Sequence, residues 1–415
     1  MIDTFVQIEE CINNCLISKL STPYNEKDFH SEYQVRNNKL EQNFPKLLDL
    51  IENVDFRQHP EICSSTLYSL FILYMELRTE GPWNTENIKA QDYPTKLNCA
   101  FENKYNLKFE DILLKDDFYK SQEVFDKCIK ELHQKMTLDD FKKYPGLIEV
   151  YYLIISNVEK YNVMLNPVTV MPVALLLVDD YITSNKLKGL ECCLLILECL
   201  KPNCFSTGNY YVVIYMSFKK NMHEKDIDVT KALFKCYPCF LPKLPLEVKK
   251  AKLDDVYSGI LDQLNIETNL HRKVICFHFT TKMIEMHQIH CAKKRIYKDI
   301  IHDSLDMCTT NVAVYDILFI PAFECLLAWI RNCWCTWNLV SDQKILAVLL
   351  KVLYVTRDEK TKLQIQTLMI TLISLCTLEE QHIIYNNLDS TPVSLHRDRD
   401  IMLRIKILKE SMRIN

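Results

Sequence analysis

Apolar residues recur with the period of an α-helix along the second half of the chain, in segments that come in pairs. In the last clear pair, the first helix places apolar residues at i, i+3, i+4, i+7 and i+8: Ile345, Val348, Leu349, Val352 and Leu353. The partner segment repeats the pattern with Ile365, Leu368, Met369, Leu372, Ile373 and Cys376. Each segment is therefore predicted to be an amphipathic helix that buries one face.

Turns between paired helices are predicted near 180–185, 221–226, 264–269, 306–311 and 357–360. Their starting positions are separated by 41, 43, 42 and 51 residues, close to the roughly 40–47 residues of two-helix HEAT and armadillo repeats. The longest interval contains "RNCWCTWNLVS", which we interpret as an insertion. The pattern predicts an all-α chain, a HEAT/armadillo-like α-solenoid of stacked antiparallel helix pairs.

The N-terminal part is less regular. We expect residues 1–143 to form an irregular helical region, in which 84–143 is a polar, loop-containing connection. Residues 144–415 are expected to form the HEAT-like solenoid, continuous with the first region as one elongated unit. A last helix with the apolar stripe Ile401, Ile405 and Leu408 should cap the stack.

Composition narrows the functional classes. Five glycines in 415 residues leave no glycine-rich phosphate loop, which argues against the usual nucleotide-binding folds and small-molecule enzymes. A net charge of -4 argues against nucleic acid as the principal ligand. Eighteen cysteines without a secretory signal are expected to be reduced, in the cytoplasm and also the nucleus. The 14-residue apolar run "ILFIPAFECLLAWI" is too short to predict a membrane span.

The stretch "VDDYITSNKLKGL" places Asp179 and Asp180 between two apolar helices. An acid at a helix junction can accept hydrogen bonds from backbone N–H groups, and Lys186, six residues after Asp180, can reach a carboxylate. Gly189 allows two helices to approach closely. The alternative is a paired-carboxylate site for acid–base chemistry or metal binding, but no third ligand or nucleophile accompanies it. We therefore predict a structural turn.

Capping signals define the two helices of this junction. Asn166 is predicted to cap the first helix, which should bury Val168 among other apolar residues and kink at Pro172. Ser184 or Asn185 is predicted to cap the second helix.

Two further groups of residues could bind metal. Cys236 and Cys239 form a CxxC, but no second pair with zinc-site spacing accompanies it. His287 and His290 share a helical face beside Cys291, where histidines are more often solvated or hydrogen-bonded. Neither group predicts a metal site, and no cofactor is expected.

Three of the four tryptophans, Trp329, Trp334 and Trp337, fall within nine residues together with Arg331. One interpretation is core packing at a repeat junction, because large aromatic side chains are mostly buried. The other is a partner-binding anchor, because Trp and Arg are enriched among interface hot spots.

The junction also carries a family resemblance. The run "LLLVDDYITSNKLKGLECCLLIL", with "YYVVIYMSFKK" and "DIDVTKALFKCYPCFL" after it, resembles the Tel two-interacting protein two family across roughly 166–242. The matching positions are Val178, Asp179, Asp180, Lys186, Gly189, Leu190, Cys193 and Leu194.

The resemblance implies a non-enzymatic HEAT-like subunit of the Triple-T complex, with Tel-two and Tel two-interacting protein one as partners. That complex works with the ninety-kilodalton heat-shock chaperone to mature and stabilise phosphatidylinositol-kinase-like protein kinases. Two alternatives stay open. One is another HEAT scaffold, such as a nuclear-transport or phosphatase adaptor. The other is a HEAT-frame DNA-repair enzyme, which would need a basic concave face.

Overall fold

The computed structural model describes residues 2–25, 30–58, 60–85, 92–205, 208–389 and 399–412. Within these ranges 80% of the residues are helical, nineteen α-helices and several 3₁₀ turns are present, and no strand occurs. The all-α prediction is confirmed. Helices need few residues with positive φ, which is why a chain with five glycines can build this fold.

The helices divide into two compact units, Met1–Asn221 and Met222–Asn415. The first unit contains α1 (Ile2–Cys15), α2 (Ser31–Asn53), α3 (Pro60–Leu77), α4 (Pro82–Thr85), α5 (Tyr93–Tyr105), α6 (Ser121–Lys135), α7 (Pro145–Ser156), α8 (Pro167–Val178), α9 (Thr183–Cys199) and α10 (Tyr210–Asn221). Most packing joins helices close in sequence, including α1 with α2, α6 with α8, α8 with α9 and α8 with α10. The boundary predicted at 143/144 lies inside this unit, and a domain division there stays a prediction.

The second unit continues the same arrangement. It contains α11 (Ile227–Phe240), α12 (Leu246–Ile266), α13 (Leu270–His287), α14 (Ile296–Thr310), α15 (Val312–Cys333), α16 (Leu339–Val355), α17 (Glu359–Ser374), α18 (Leu378–Asp389) and α19 (Arg399–Glu410). Contacts join α12 with α13, α13 with α15, α14 with α15 and α16, and α16 with α17. Helices α13, α14 and α16 therefore each pack on more than one other helix of the unit, as in an α-solenoid.

Each of the five predicted turns overlaps a connection between helices, but 306–311 lies almost entirely within α14, which ends at Thr310. The predicted apolar stripes of α16, α17 and α19 are also buried. The predicted burial of Val168 is wrong. Val168 lies in the first turn of α8 and is 55% exposed, whereas Met171, one turn later, is completely buried.

The segment 84–143 is more ordered than the sequence predicted. It contains α5 and α6, and α6 packs against α3. Val124, Phe125, Cys128, Ile129 and Leu132 form the buried face of α6. Charged residues around this stripe made the segment resemble a connection, and residues 86–91 of it lie outside the described ranges.

The apolar run "ILFIPAFECLLAWI" belongs to a longer helix than predicted. By length and composition alone, Val312–Thr336 could cross a membrane, so the argument from length is wrong. In the fold, α15 packs against α13 and α14, and 56% of its most apolar window is buried. This packing makes α15 the core helix of its unit.

Candidate functional site

Asp179 ends α8 and connects it to the next helix of the array. Its Oδ1 accepts hydrogen bonds from Ser217 Oγ at 3.0 Å and from Asn221 Nδ2 at 3.1 Å, both on α10. Lys220 Nζ lies 3.5 Å from Asp179 Oδ2. This carboxylate therefore holds the end of α8 against α10.

Asp180 makes its contacts in other directions, and its side chain is 1% exposed. Lys142 Nζ lies 2.9 Å from Asp180 Oδ1, and the same ammonium lies 3.7 Å from the centre of the Tyr181 ring. Asn185 Nδ2 donates to Asp180 Oδ2 at 2.8 Å, and Tyr181 N donates to Oδ1 at 2.7 Å. Asp180 thus ties its own turn to the turn that precedes α7.

The predicted cap of α9 is wrong. The helix begins at Thr183, and its N-cap is Ile182, which makes no side-chain cap hydrogen bond. Asn185 already lies inside the first turn, where it donates to Asp180 instead. Lys186 is half-buried in the same turn, and its predicted reach to a carboxylate stays a prediction. At the other end of the pair, Asn166 caps α8 as predicted, by accepting from Val168 N.

Gly189 lies where α8 and α9 touch through their backbones. A Cβ at this position would lie 2.6 Å from Val178 N, 2.8 Å from Ala174 O and 2.8 Å from Leu177 Cβ. Two of these neighbours are backbone atoms that cannot rotate away. The requirement is therefore for the absence of a side chain, as the sequence predicted, and not for an unusual φ.

Comparable polar links occur in the second unit. Arg272, in the first turn of α13, donates from Nη2 to Glu224 O at 2.8 Å and to Gln263 Oε1 at 2.9 Å. Lys298 Nζ donates to Asp342 Oδ2 at 2.7 Å, and the Asp342 side chain is fully buried. These partners are 48 and 44 residues apart, close to the repeat interval. The paired acids at 179 and 180 are one instance of how the array is tied together.

The CxxC and the paired histidines also lie in helical segments and show no grouping that would bind a metal among the described residues. Cys236 and Cys239 both lie within α11, and Cys236 is buried. His287 is buried, and its Nε2 lies 2.7 Å from Asp254 Oδ1. Among the residues that the structure describes, no three His, Cys, Asp or Glu side chains form a group able to hold a metal ion.

The tryptophan cluster divides between core and surface. Trp329 is 1% exposed and stacks on Tyr297 with ring centres 5.6 Å apart. Trp337 is also buried, at 8%. Arg331 is exposed, and Trp334 is 55% exposed. Trp329 and Trp337 are thus poor candidates for a partner-binding site because helix packing covers them, whereas Arg331 and Trp334 lie on the surface.

Sequence reasoning missed Lys142, Arg272 and Asp342, three of the residues that tie the turns together. Each partner lies about one repeat away, so the pairing cannot be read from a short window. The sequence does contain a partial signal for Arg272. This arginine follows the predicted turn at 264–269, much as Lys186 follows the turn at 180–185.

Comparisons with known proteins leave the family open. No family model matches the chain, and no curated protein matches it. Twenty-one chains of solved structures match. One is the crystal structure of an engineered protein, 11% identical over 99% of this chain and 99% of that chain, with a TM-score of 0.43. A likeness at this level carries no argument about function.

Proposed function

We propose that this protein is a non-enzymatic scaffold, a HEAT-repeat subunit of a Triple-T co-chaperone complex. Its partners would be subunits of the Tel-two and Tel two-interacting protein one types, the ninety-kilodalton heat-shock chaperone and the large kinases that the complex matures. The proposed location is the cytoplasm and also the nucleus. The proposal includes no cofactor, no small-molecule substrate, no direct nucleic-acid binding and no membrane insertion.

One observation carries the scaffold proposal: the acidic motif that looked most like a chemical site is used in packing. Asp179 is held by Ser217 and Asn221, and Asp180 by Lys142 and Asn185. A carboxylate engaged by several fixed donors is a poor general base, because those donors occupy the lone pairs that would accept a proton from a substrate. The same motif carries the resemblance to the Tel two-interacting protein two family. Its structural use agrees with a subunit that acts through its surface.

The surface offers one segment suited to partner binding. Arg331 and Trp334 are exposed beside the buried Trp329, so the core holds the segment in place while two hot-spot residue types face outward. Rigid placement lowers the entropy lost on binding. This arrangement favours a protein partner over the alternative of a repair enzyme, which would need an acid projecting from a basic face.

Affinity purification of the tagged full chain, followed by mass spectrometry, tests the proposal. We expect recovery of the two larger helical-repeat subunits and the chaperone, and depletion of the protein should lower the abundance of the client kinases. Recovery of nuclear-transport factors or a phosphatase catalytic subunit in their place would overturn the assignment in favour of another HEAT scaffold.

A matched pair of surface variants sharpens the experiment. Trp334→Ala should weaken the complex by about 2 kcal/mol or more if this tryptophan is a hot spot. Lys360→Glu serves as the control, because Lys360 is exposed in the first turn of α17, at the far end of α16 from Trp334. Equal recovery with both variants would remove Trp334 from the interface.

A further inference from the structure

Three segments of the second unit meet near the end of α15, which Trp334 directly follows. They are the start of α12, the 3₁₀ turn Gln288–Lys293 and the end of α15. Cys333 Sγ donates to Gln288 O at 3.5 Å, which joins α15 to the turn. Slight burial and the positive charges of Lys250 and Lys293 lower the pKa of His290, because α12 and the turn lie close together. We call this surface the basic end and define it by Lys250, His290, Lys293, Arg295, Arg331 and Trp334.

Four cations of the basic end have no intramolecular carboxylate. Lys250, Lys293, Arg295 and Arg331 are exposed, and within the described ranges none of them has an acidic oxygen within 4.0 Å. Their nearby counterpart, Lys298, differs because it pairs with the buried Asp342. Uncompensated cations of this kind produce a local positive potential on a chain whose net charge is -4.

Acidic residues also lie near the basic end. Glu247, in the first turn of α12, precedes Lys250 by about one helical turn and, among the described residues, forms no ion pair with it. Asp254 Oδ1 lies 2.7 Å from His287 Nε2. Partial burial would raise the pKa of Asp254, but the His287 hydrogen bond and the charges of Lys293 and His290 hold it below its usual range. Asp299 follows Arg295 by one helical turn and forms no ion pair with it. The surface therefore keeps an excess of positive charge.

Apolar side chains lie among these cations. Trp334 is 55% exposed, Ile289 is 41% exposed and Ile296 is 36% exposed. Leu246, in the first turn of α12, is 85% exposed. A surface that combines an aromatic ring, aliphatic groups and cations suits a ligand with both acidic and apolar side chains.

The turn that presents His290 and Lys293 has an unusual backbone. Gln288 adopts φ 53° and ψ -134°, a conformation that residues with a side chain rarely occupy. Such a conformation persists only where surrounding contacts fix it, and the Cys333 thiol supplies one of these contacts. The backbone of the turn is thus joined to the last residue of α15, directly before Trp334.

We propose that the basic end binds an acidic segment of a partner protein, an extended stretch rich in Asp and Glu that carries an apolar residue. The cations come from separate segments, so they match carboxylates spread along a chain better than one concentrated anionic group. The apolar residue packs on Trp334, and the carboxylates face Lys293, Arg295 and Arg331. A long nucleic acid fits poorly, because the acidic remainder of the protein would repel it.

This inference deepens the proposed scaffold function by naming the chemistry of one partner, and its test is separate. The peptide experiment uses the purified chain alone. A failure there would leave the co-purification of the large subunits unaffected, and a failure of co-purification would leave peptide binding intact.

The probe is a fluorescent peptide of about twelve residues in which Glu and Asp surround a central leucine, measured by fluorescence anisotropy with the full chain. The matched peptide replaces each acid by Gln or Asn. We expect the acidic peptide to bind at least about tenfold more tightly than its neutral counterpart at low salt, with affinity falling as salt rises.

Three variants locate the binding site. Lys293→Glu combined with Arg295→Glu should weaken binding by about tenfold or more, because two favourable charge interactions become repulsive. Trp334→Ala should weaken it by about threefold to tenfold, whereas Lys360→Glu should leave it within about twofold. Circular dichroism checks that each variant stays folded, and all four positions are on the surface.

Three outcomes would overturn the proposal. They are equal affinity for the acidic and neutral peptides, undiminished binding by the folded double variant, or tighter binding of a single-stranded RNA of similar length than of the acidic peptide. The last result would identify the basic end as a nucleic-acid site.

Discussion

The junction 178–190 in the first unit and the segment 329–337 in the second differ in how they use their conspicuous residues. In the junction, Asp179, Asp180 and Gly189 all contact neighbouring helices or turns. In the other segment, buried residues alternate with exposed ones: Trp329 is 1% exposed and Trp334 is 55% exposed. Residue type identified both regions, but the burial of each side chain decides whether it remains available to a partner.

Helical phase explains only part of the division of the tryptophan segment. Trp329, Cys333 and Trp337 follow one another at intervals of four residues and are all buried. Arg331 and Trp334 lie off this stripe and are exposed. Trp329 and Cys333 share a face of α15 because they are four positions apart, and Arg331 lies off that face. Trp334 and Trp337 lie beyond the end of α15, in and after a 3₁₀ turn, so the phase of the α-helix does not determine their burial.

The largest expected effect separates Trp329 from Trp334. Trp329→Ala removes a fully packed ring stacked on Tyr297 and should lower the free energy of unfolding by about 3–5 kcal/mol. Trp334→Ala should change it by less than about 0.5 kcal/mol, since the ring is more than half exposed. Urea unfolding followed by circular dichroism measures both. Similar losses for the two variants would mean that Trp334 belongs to the core.

Gly189 tests the backbone contact in the junction. Gly189→Ala should destabilise the first unit by about 1–3 kcal/mol, because its Cβ would collide with backbone atoms of α8. That loss should exceed the roughly 1 kcal/mol that alanine gains over glycine in a helix. The measurement is thermal unfolding.

Gly259→Ala provides the matched control. A Cβ there would meet only the flexible Met222 side chain, with Sδ at 3.1 Å. The control should therefore be neutral or stabilising by up to about 1 kcal/mol. If Gly189→Ala behaves like Gly259→Ala, the helices of the junction are not in backbone contact.

Two cysteines two residues apart test whether the buried and exposed positions of the tryptophan segment differ in solution. Cys333 is buried, and burial raises the pKa of its thiol to about 11, whereas Cys335 is exposed. Since the thiolate is the reactive form, iodoacetamide near pH 8 should alkylate Cys335 at least about tenfold faster than Cys333. Peptide mass spectrometry of a time course gives both rates. Equal rates in the folded protein would show that the end of α15 opens readily.

The fold was largely predictable because helical periodicity is local. The stripes of α16 and α17 and the approximate positions of four of the five turns could be read from windows of fewer than about 20 residues. The region around α5 and α6 was harder, because charged residues such as Lys127 and Glu131 flank a narrow apolar stripe and give it the composition of a connection.

The polar links were not predictable, because they join residues far apart in sequence. Arg36 and Glu76 form a fully buried ion pair 40 residues apart, and Ile17 N also donates to Glu76 Oε1 at 3.1 Å. Burial raises the pKa of Glu76, and the guanidinium of Arg36 opposes that effect. No motif in the sequence marks these partners. The same holds for Lys142, which reaches Asp180 from the turn before α7.

The smallest expected effects compare the two acids of the junction. Asp180→Asn keeps an acceptor for Tyr181 N but removes the charge beside Lys142 in a site that is 1% exposed, so a loss of about 1 kcal/mol is expected. The loss is moderate because the Lys142 side chain is 23% exposed and keeps both water and its contact with the Tyr181 ring. Asp179→Asn should lose about 0.5 kcal/mol, since its side chain is 36% exposed and the amide oxygen can still accept from Ser217. Urea unfolding of both variants in parallel gives the difference. A larger loss at Asp179 than at Asp180 would mean that the contact with α10, and not the link back to Lys142, holds the junction together.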